Sequence, residues 1–451
     1  MRIVVIGDGK VGNSIIRHVC KEGHQVVVID KKPNVIEDIV NKFDVMGICG
    51  NGASYEILKE ADAGRAHVVM AVTASDETNM LACVIAKKLG AKATIARVRN
   101  YEYNNQIKNI MNDLDITMVI NPEKETAAEI LKVVNFPEAI RVDNFAEGKV
   151  DLVELYIPEG SPLVGQKLMD LQQKYQVKIL VCAVQRGDKV HIPNGTFTFQ
   201  AKDKIHVTGK NANIKRFLTK LGFAQTKVKS ILIIGGGKIT SYLGQDLIKN
   251  KYEVKIIEKD YNKCLELSEL LPKATIIHGD GTSHEILSEE GIIDSDVVIS
   301  LTGEDEENII ISMYAYKQKV KKIIAKVNKE SFVSLMETID MATVVSPKDI
   351  TASNIVRYIR ARNNTRGNNI VTLHKLVNNQ VEAIEFIAKA KGRSLNKPLK
   401  DLKLKPKVLI AGIIRKGESI IPNGLDMITE DDRVIVVTNG QYLDDLDDIL
   451  V

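Results

Sequence analysis

The stretch from Ile3 to Gly12, IVVIGDGKVG, decides the fold. Four consecutive β-branched apolar residues make a strand with no polar face, which belongs inside a sheet covered on both sides. Gly7-Asp8-Gly9-Lys10-Val11-Gly12 then reads GxGxxG, and Val11, Ile15, Ile16 and Val19 continue at helical spacing. Outward from this start, QVVVID (25–30), DVMGICG (44–50), HVVMAVT (67–73) and ATIARV (93–98) are further strand candidates. They alternate with periodic segments at 33–43, 54–62 and 77–89. Strands alternating with helices of this length predict a parallel sheet with helices on both faces.

The scheme is then repeated. GNGASYEILKEA at Gly50 returns as GDGTSHEILSEE at Gly279, and the same spacing carries Asp76, Glu77 and Asn79 onto Asp305, Glu306 and Asn308. SILIIG, EVKIIE, ATIIHG, DVVISLT and KIIAKV repeat the strands. A second kind of segment is duplicated too, because VCAVQRGDKVHIPNG (181–195) matches IAGIIRKGESIIPNG (410–424). Here short strands are punctuated by turn signals such as Arg186-Gly187-Asp188 and Pro193-Asn194-Gly195, which predicts a small β-rich module. The expected fold class is α/β: two Rossmann-like parallel-sheet domains, each followed by a small β-rich α+β domain. Expected boundaries are 1–138, 139–225, 226–368 and 369–451. The polar, basic stretch RARNNTRGNN (360–369) reads as a solvated turn or linker rather than a nucleic-acid contact.

The first glycine loop carries the chemistry. Glycines let the turn form and the backbone approach a pyrophosphate, the helix start offers unpaired N–H groups to it, and a carboxylate ending the next strand accepts from ribose hydroxyls. Asp30 stands in that place, and its charge would repel a 2′-phosphate, favouring NAD over NADP. The second loop, Gly235-Gly236-Gly237-Lys238-Ile239-Thr240, is followed by Glu258. Thr240 replaces the last glycine, which leaves open a nucleotide site or a retained fold with an altered, weaker or empty pocket. Thr73-Ala74-Ser75-Asp76 and Thr302-Gly303-Glu304-Asp305 follow the fourth strand of each half, while Arg97 and Lys326 end the fifth. A threonine hydroxyl and a cation can bracket a phosphate, with arginine offering the rigid fork that lysine lacks. The alternative is helix capping by Thr73, Ser75 and Asp76 and a surface role for Arg97.

Other classes lose support. The 451 residues hold 62 basic and 58 acidic side chains, an almost balanced mixture that gives no reason to expect nucleic acid. Five scattered cysteines form no CxxC pair, and eight histidines form no HExxH or other close ligand set, so no metal site is expected. The N-terminus does not read as a secretory signal, and no apolar run reaches the roughly 20 residues a membrane span needs. No catalytic residue is nominated. An NAD-dependent oxidoreductase remains the competing class, opposed by the duplicated loops and the small β modules.

Over essentially its full length the chain resembles the TrkA family of bacterial Trk potassium-uptake regulators, built from two RCK (KTN) domains each followed by a TrkA-C domain. The residues carrying the likeness are Ile6 to Gly12, Asp30, GNGAS at Gly50, AVTASDETNMLAC from Ala71 to Cys83, and Ile95 to Arg99. The resemblance implies a cytoplasmic regulatory subunit, peripheral at the inner face of the cell membrane. It implies binding of NAD or NADH, with ATP or ADP as a further ligand class, and a Trk-type potassium-translocating membrane subunit as partner. It also implies a homo-oligomeric ring of RCK domains, with the helix after Asp76 in the contact. By position the implied ligand residues are Gly7, Asp8, Gly9, Lys10, Val11, Gly12, Asp30, Thr73, Ala74 and Arg97 in the first half. In the second they are Gly235, Gly236, Gly237, Lys238, Ile239, Glu258, Thr302 and Lys326, with Thr240, Glu258 and Lys326 as departures.

Overall fold

The computed structural model describes the chain except residues 101–102, 104–105, 137–140, 146–149, 188, 223–227, 340, 364–369, 377–379, 390–391, 442 and 444. Two compact units result, one from Met1–Leu131 with Val228–Val356 and the other from Lys132–Lys227 with Arg357–Val451. Each unit therefore collects one kind of module from both halves of the chain.

In the first lobe of the first unit the strands are β1 (Arg2–Ile6), β2 (Gln25–Asp30), β3 (Met46–Cys49), β4 (Val68–Ala71), β5 (Thr94–Arg97) and β6 (Met118–Ile120). The helices are α1 (Lys10–Lys21), α2 (Pro33–Lys42), α3 (Tyr55–Glu60), α4 (Asp76–Leu89), α5 (Ile107–Asp113) and α6 (Pro122–Asn135). The strands pair in parallel in the order β3-β2-β1-β4-β5-β6. Ile3, Val4, Val5 and Ile6 are all essentially inaccessible, as the absence of a polar face in the sequence requires. Val11, Ile15, Ile16 and Val19 are the buried stripe of α1. The very short β6 shows no period and is not among the sequence expectations.

The second lobe repeats this with β12 (Ser230–Ile234), β13 (Glu253–Glu258), β14 (Thr275–His278), β15 (Val297–Ser300), β16 (Lys322–Lys326) and β17 (Thr343–Val345), in the order β14-β13-β12-β15-β16-β17. Its helices include Lys238–Lys249, Asp305–Lys317, Glu330–Ile339 and Pro347–Asn363. The last of these corrects the linker reading: 360–363 are helical, and 364–369 lie outside the described residues. The expected domain boundaries at 138/139, 225/226 and 368/369 each fall on or beside residues outside the description.

The two lobes hold each other through the helices that follow the glycine loops. Ser14 on α1 donates to Asp349 Oδ1 at 2.8 Å, and Arg17 pairs with Glu330 at 2.6 Å. In the opposite direction Asn121, in the β6–α6 turn, donates to the Tyr242 hydroxyl at 3.0 Å in a buried bond. Ser14 and Tyr242 occupy the same position in the two helices, so each loop helix docks on the turn beyond the last strand of the other lobe. Asn354 adds a 2.7 Å bond to Glu125.

The second unit contains two antiparallel sheets. One comprises β7 (Arg141–Phe145), β8 (Val150–Tyr156), β9 (Ile179–Arg186), β10 (Lys189–His191) and β11 (Lys204–Gly209), in the order β10-β9-β11-β8-β7. The other comprises β18 (Ile370–Leu376), β19 (Val381–Ile387), β20 (Val408–Arg415), β21 (Glu418–Ile420) and β22 (Arg433–Asn439), in the order β18-β19-β22-β20-β21. Val181, Cys182, Ala183 and Val184 are consecutive and all buried, which a sheet with one wet face does not allow. The reason is that one face packs on Phe217, Leu218 and Ile214 while the other joins Leu152, Cys182 and Ala183 to Ala383, Ala411 and Ile435 of the sister module.

In both modules a buried carboxylate anchors the turn beyond the IPNG segment. Arg186 grips Asp203 through Nε and Nη2, both at 2.8 Å, and Arg415 grips Asp432 at 3.0 and 2.8 Å. The same guanidinium groups donate to Thr198 O and Met427 O. Removing either carboxylate leaves Gln200 N or Thr429 N without its acceptor and frees a guanidinium that is about a third exposed, at a cost of about 1–3 kcal/mol. Asp203→Ala and Asp432→Ala are therefore each expected to lower the thermal unfolding midpoint by several degrees; an unchanged midpoint in both would show that these pairs do not secure the modules.

Candidate functional site

In a sheet ordered 3-2-1-4-5-6 the chain leaves β1 and β4 in opposite directions, and the crevice this opens at their C-terminal ends is the usual ligand position. Every first-half residue singled out by the sequence lies on this edge. Gly7 through Gly12 form the β1–α1 turn, Asp30 ends β2, Thr73 and Ala74 follow β4, and Arg97 ends β5. Gly7 has φ +95°, a conformation that favours glycine, and a Cβ on it would come within 3.0 Å of the Thr73 backbone. A Cβ on Gly12 would collide with the Gly7 carbonyl. The loop thus lies directly against the Thr73 turn and leaves no room for side chains at these two places.

Asp30 is held by backbone. Its Oδ2 accepts from Asp8 N at 3.0 Å and its Oδ1 from Lys32 N at 3.0 Å, which fixes the carboxylate beside the loop. Arg97 is half-buried, donates only a long 3.4 Å bond to Val72 O, and has a buried Nε with no acceptor. It forms no ion pair among the described residues. Burial lowers its pKa, and neighbouring Arg99 lowers it further against the opposing effect of Glu123 and Asp76. A desolvated guanidinium with donors to spare is suited to an anionic oxygen.

The second loop keeps the plan and changes the fittings. Gly235 has φ +102°, and Glu258 accepts from Gly236 N at 2.5 Å and Asp260 N at 2.8 Å. The longer acid is 6% exposed and, with Leu267, occupies the space beside Gly236 that a side chain at that position would need. Thr240 is fully buried and its hydroxyl donates to Gly235 O at 2.5 Å, so the helix start is tied to the loop by a side chain where Gly12 allows bare backbone contact. Burial also lowers the Lys326 pKa; Asp305 opposes this, and Lys10 of the first lobe adds to it. The cationic groups of the two crevices are therefore close enough to influence each other.

The residues that hold both crevices open are ones the sequence shows only as repeated positions. Asn79, fully buried, accepts from Thr73 N at 2.8 Å and Thr73 Oγ1 at 2.7 Å through Oδ1, and donates to Thr73 O at 3.1 Å and Arg97 O at 2.9 Å through Nδ2. Asn308 repeats this with Thr302 N at 2.8 Å, Thr302 O at 3.4 Å and Lys326 O at 2.9 Å. Asp76 takes Arg99 N and Asn100 N at 2.8 and 2.7 Å, and Asp305 takes Asn328 N and Lys329 N, both at 2.8 Å. Of the three expected capping residues, Ser75 performs the role, its Oγ accepting from Thr78 N at 3.1 Å. The signal for Asp76 and Asn79 in the sequence is their recurrence as Asp305 and Asn308. Among the described residues no group of three or more His, Cys, Asp or Glu is placed to hold a metal.

Two Rossmann-like crevices in tandem, each continued by a small antiparallel module, define a duplicated two-domain architecture. Residues 3–122 and 231–347 match the TrkA-N domain, and 152–222 and 383–451 match the TrkA-C domain. The chain is 34% identical over 444 residues to Trk system potassium uptake protein TrkA homolog 1 of Methanosarcina mazei, covering 97% of each chain. It is 32% identical to the TrkA homolog of Archaeoglobus fulgidus over the full length of both, and 30% identical to TrkA of Vibrio alginolyticus over 99% and 98%. The chain belongs to the TrkA family. Among solved structures, the GsuK channel bound to NAD aligns with a TM-score of 0.63 over 97% of this chain and 77% of that one, at 16% identity, and the GsuK RCK domain with 0.62 over 97% and 92%, also at 16%. At that identity the likeness establishes the fold.

Asn79→Ala would leave Thr73 N and Arg97 O without partners in a dry place, each costing about 1–3 kcal/mol. The expected result is a lower unfolding midpoint together with greater protease access to 73–79; a variant as stable as the parent would remove Asn79 from its position as the tie.

Proposed function

We propose that this chain is the cytoplasmic regulatory subunit of a Trk-type potassium uptake system, peripheral at the inner face of the cell membrane. It binds NAD or NADH, and ATP or ADP as a second ligand class, and gates the potassium-translocating membrane subunit through conformational change of an RCK ring. The observation that carries this reading is the first crevice. A glycine loop at a helix start, a ribose-type acid at Asp30 and the half-buried Arg97 with a spare donor line the same edge of the sheet. The proposed ligand residues are those named from the sequence, Gly7 to Gly12, Asp30, Thr73, Ala74 and Arg97, with their second-lobe counterparts Gly235 to Ile239, Glu258, Thr302 and Lys326. Support for NAD comes from Asp30, and a fold neighbour is a channel bound to NAD.

No helix among the described residues is long and apolar enough to cross a membrane. In this reading, control of the gate passes through contacts with the membrane subunit. Ring assembly is supported by the helix Asp305–Lys317, which buries Ile311 and Ala315 yet leaves Ile310, Met313 and Tyr316 more than half exposed; Leu81 on α4 is likewise exposed. Large apolar side chains left exposed on a helix that already buries another face suit a second partner. The gating step follows from the lobe contacts. Phosphates drawn between the Gly7 loop and Arg97 pull on α1, whose Ser14 is bonded to the other lobe, and the ligand shifts the equilibrium by its difference in affinity for the two arrangements.

Asp30→Ala and Arg97→Ala are each expected to weaken NAD⁺ or ATP binding by at least about tenfold, the worth of a hydrogen bond to a charged group. Calorimetric titration of the purified chain measures this, and nucleotide-dependent potassium flux in the presence of the membrane subunit should weaken in parallel. Unchanged affinity in both variants would refute the site.

A further inference from the structure

Asp8 is a carboxylate in a loop built to receive phosphates. Its N–H is already engaged by Asp30, its Oδ2 meets only Asn13 Nδ2 at 3.5 Å, and its Oδ1 is buried with no hydrogen-bond partner. The charged groups facing it are Asp30 from β2 and Asp38 and Lys42 from α2; α1 contributes the neutral Asn13 amide. Two acids therefore surround it against one lysine. At the same place the second lobe has Gly236, with no side chain at all.

Building on the nucleotide reading above, we propose that Asp8 is itself a ligand group of the first site and takes up a proton when the nucleotide binds. Ionised, it repels the phosphates that the loop attracts. Protonated, it loses that repulsion and gains an O–H that donates to a ribose or phosphate oxygen. The first site is thereby proton-linked through a carboxylate that the second, with Gly236 in that place, lacks.

The electrostatics agree with this geometry. Burial pushes the Asp8 pKa up to about 6, with Asp30 adding to the rise and Asn13 and Lys42 opposing it. Phosphate charge brought alongside raises it further in the complex. Between the free and bound values each nucleotide carries in a proton, so affinity is greatest at or below about pH 6 and falls as pH rises, by at most about tenfold per pH unit.

NAD⁺ is the suitable probe because it has no group titrating between pH 6 and 8, unlike the terminal phosphates of ATP and ADP. Calorimetry on the full chain at pH 6, 7 and 8, in buffers of different ionisation enthalpy, reads affinity and proton uptake together. Wild type is expected to bind on the order of tenfold more weakly at pH 8 than at pH 6 and to take up close to one proton per first site near pH 7. Asp8→Asn keeps the shape without the charge and Asp8→Gly copies the second lobe; both should lose the uptake and bind more tightly than wild type at pH 8. Wild-type binding without proton uptake, or a pH profile shared by wild type and Asp8→Asn, overturns the proposal and leaves the nucleotide reading intact. Failure of wild type to bind NAD⁺ at any pH overturns this proposal together with the NAD part of the nucleotide reading.

Discussion

Everything at the functional edge depends on one buried amide. Where β4 ends and the chain turns into α4, the backbone leaves its sheet partners, and so does β5 beside it. Polar groups that face the buried interior there must find other partners. Asn79 supplies them with both ends of one side chain, and Asn308 does the same in the second lobe. That arrangement ties the β4–α4 turn to the end of β5, from which the Arg97 side chain reaches Val72 O. A leucine in its place would fill the volume and leave the crevice without a defined width.

The duplication then gives the crevice something to act upon. Because Ser14 and Tyr242 hold equivalent places and each bonds to the opposite lobe, the two loop helices are the mutual supports of the pair. The bonds themselves differ, since one ends on the Asp349 carboxylate and the other joins a phenol to an amide. The two crevices also differ in acid length, in the cation and in the residue at the helix start. A tandem chain can thus divide two tasks between copies that a single-module oligomer would have to perform identically.

Much of this was legible in the residues. The continuous apolar runs required a doubly covered parallel sheet, and the loop with its acid pointed to the correct edge, because strand, turn and helix periods are local properties. The shortest strands of the parallel sheets, β6 and β17, carry no period and could not be read. Asn79 and Asp76 were visible as repeated letters, yet their role depends on where a neighbouring strand leaves the sheet, which no local pattern encodes. The same holds for the doubly buried β9. Its apolar run announced two covered faces, but that the second cover is the sister module from the other half of the chain is a tertiary fact. Arg360 to Asn363 misled for the opposite reason, since a polar composition suits a helix end as well as a linker.

The central claim is that nucleotide bound at the first glycine loop is felt across the lobe boundary. Hydrogen–deuterium exchange of the full chain with and without NAD⁺ tests it most directly. The account predicts slower exchange at residues 7–16 and 73–79 and, through Ser14 and Asp349, at 346–354 in the second lobe, with Ser14→Ala removing the distant effect and keeping the local one. Protection confined to the first loop in wild type, or none at that loop, would contradict it.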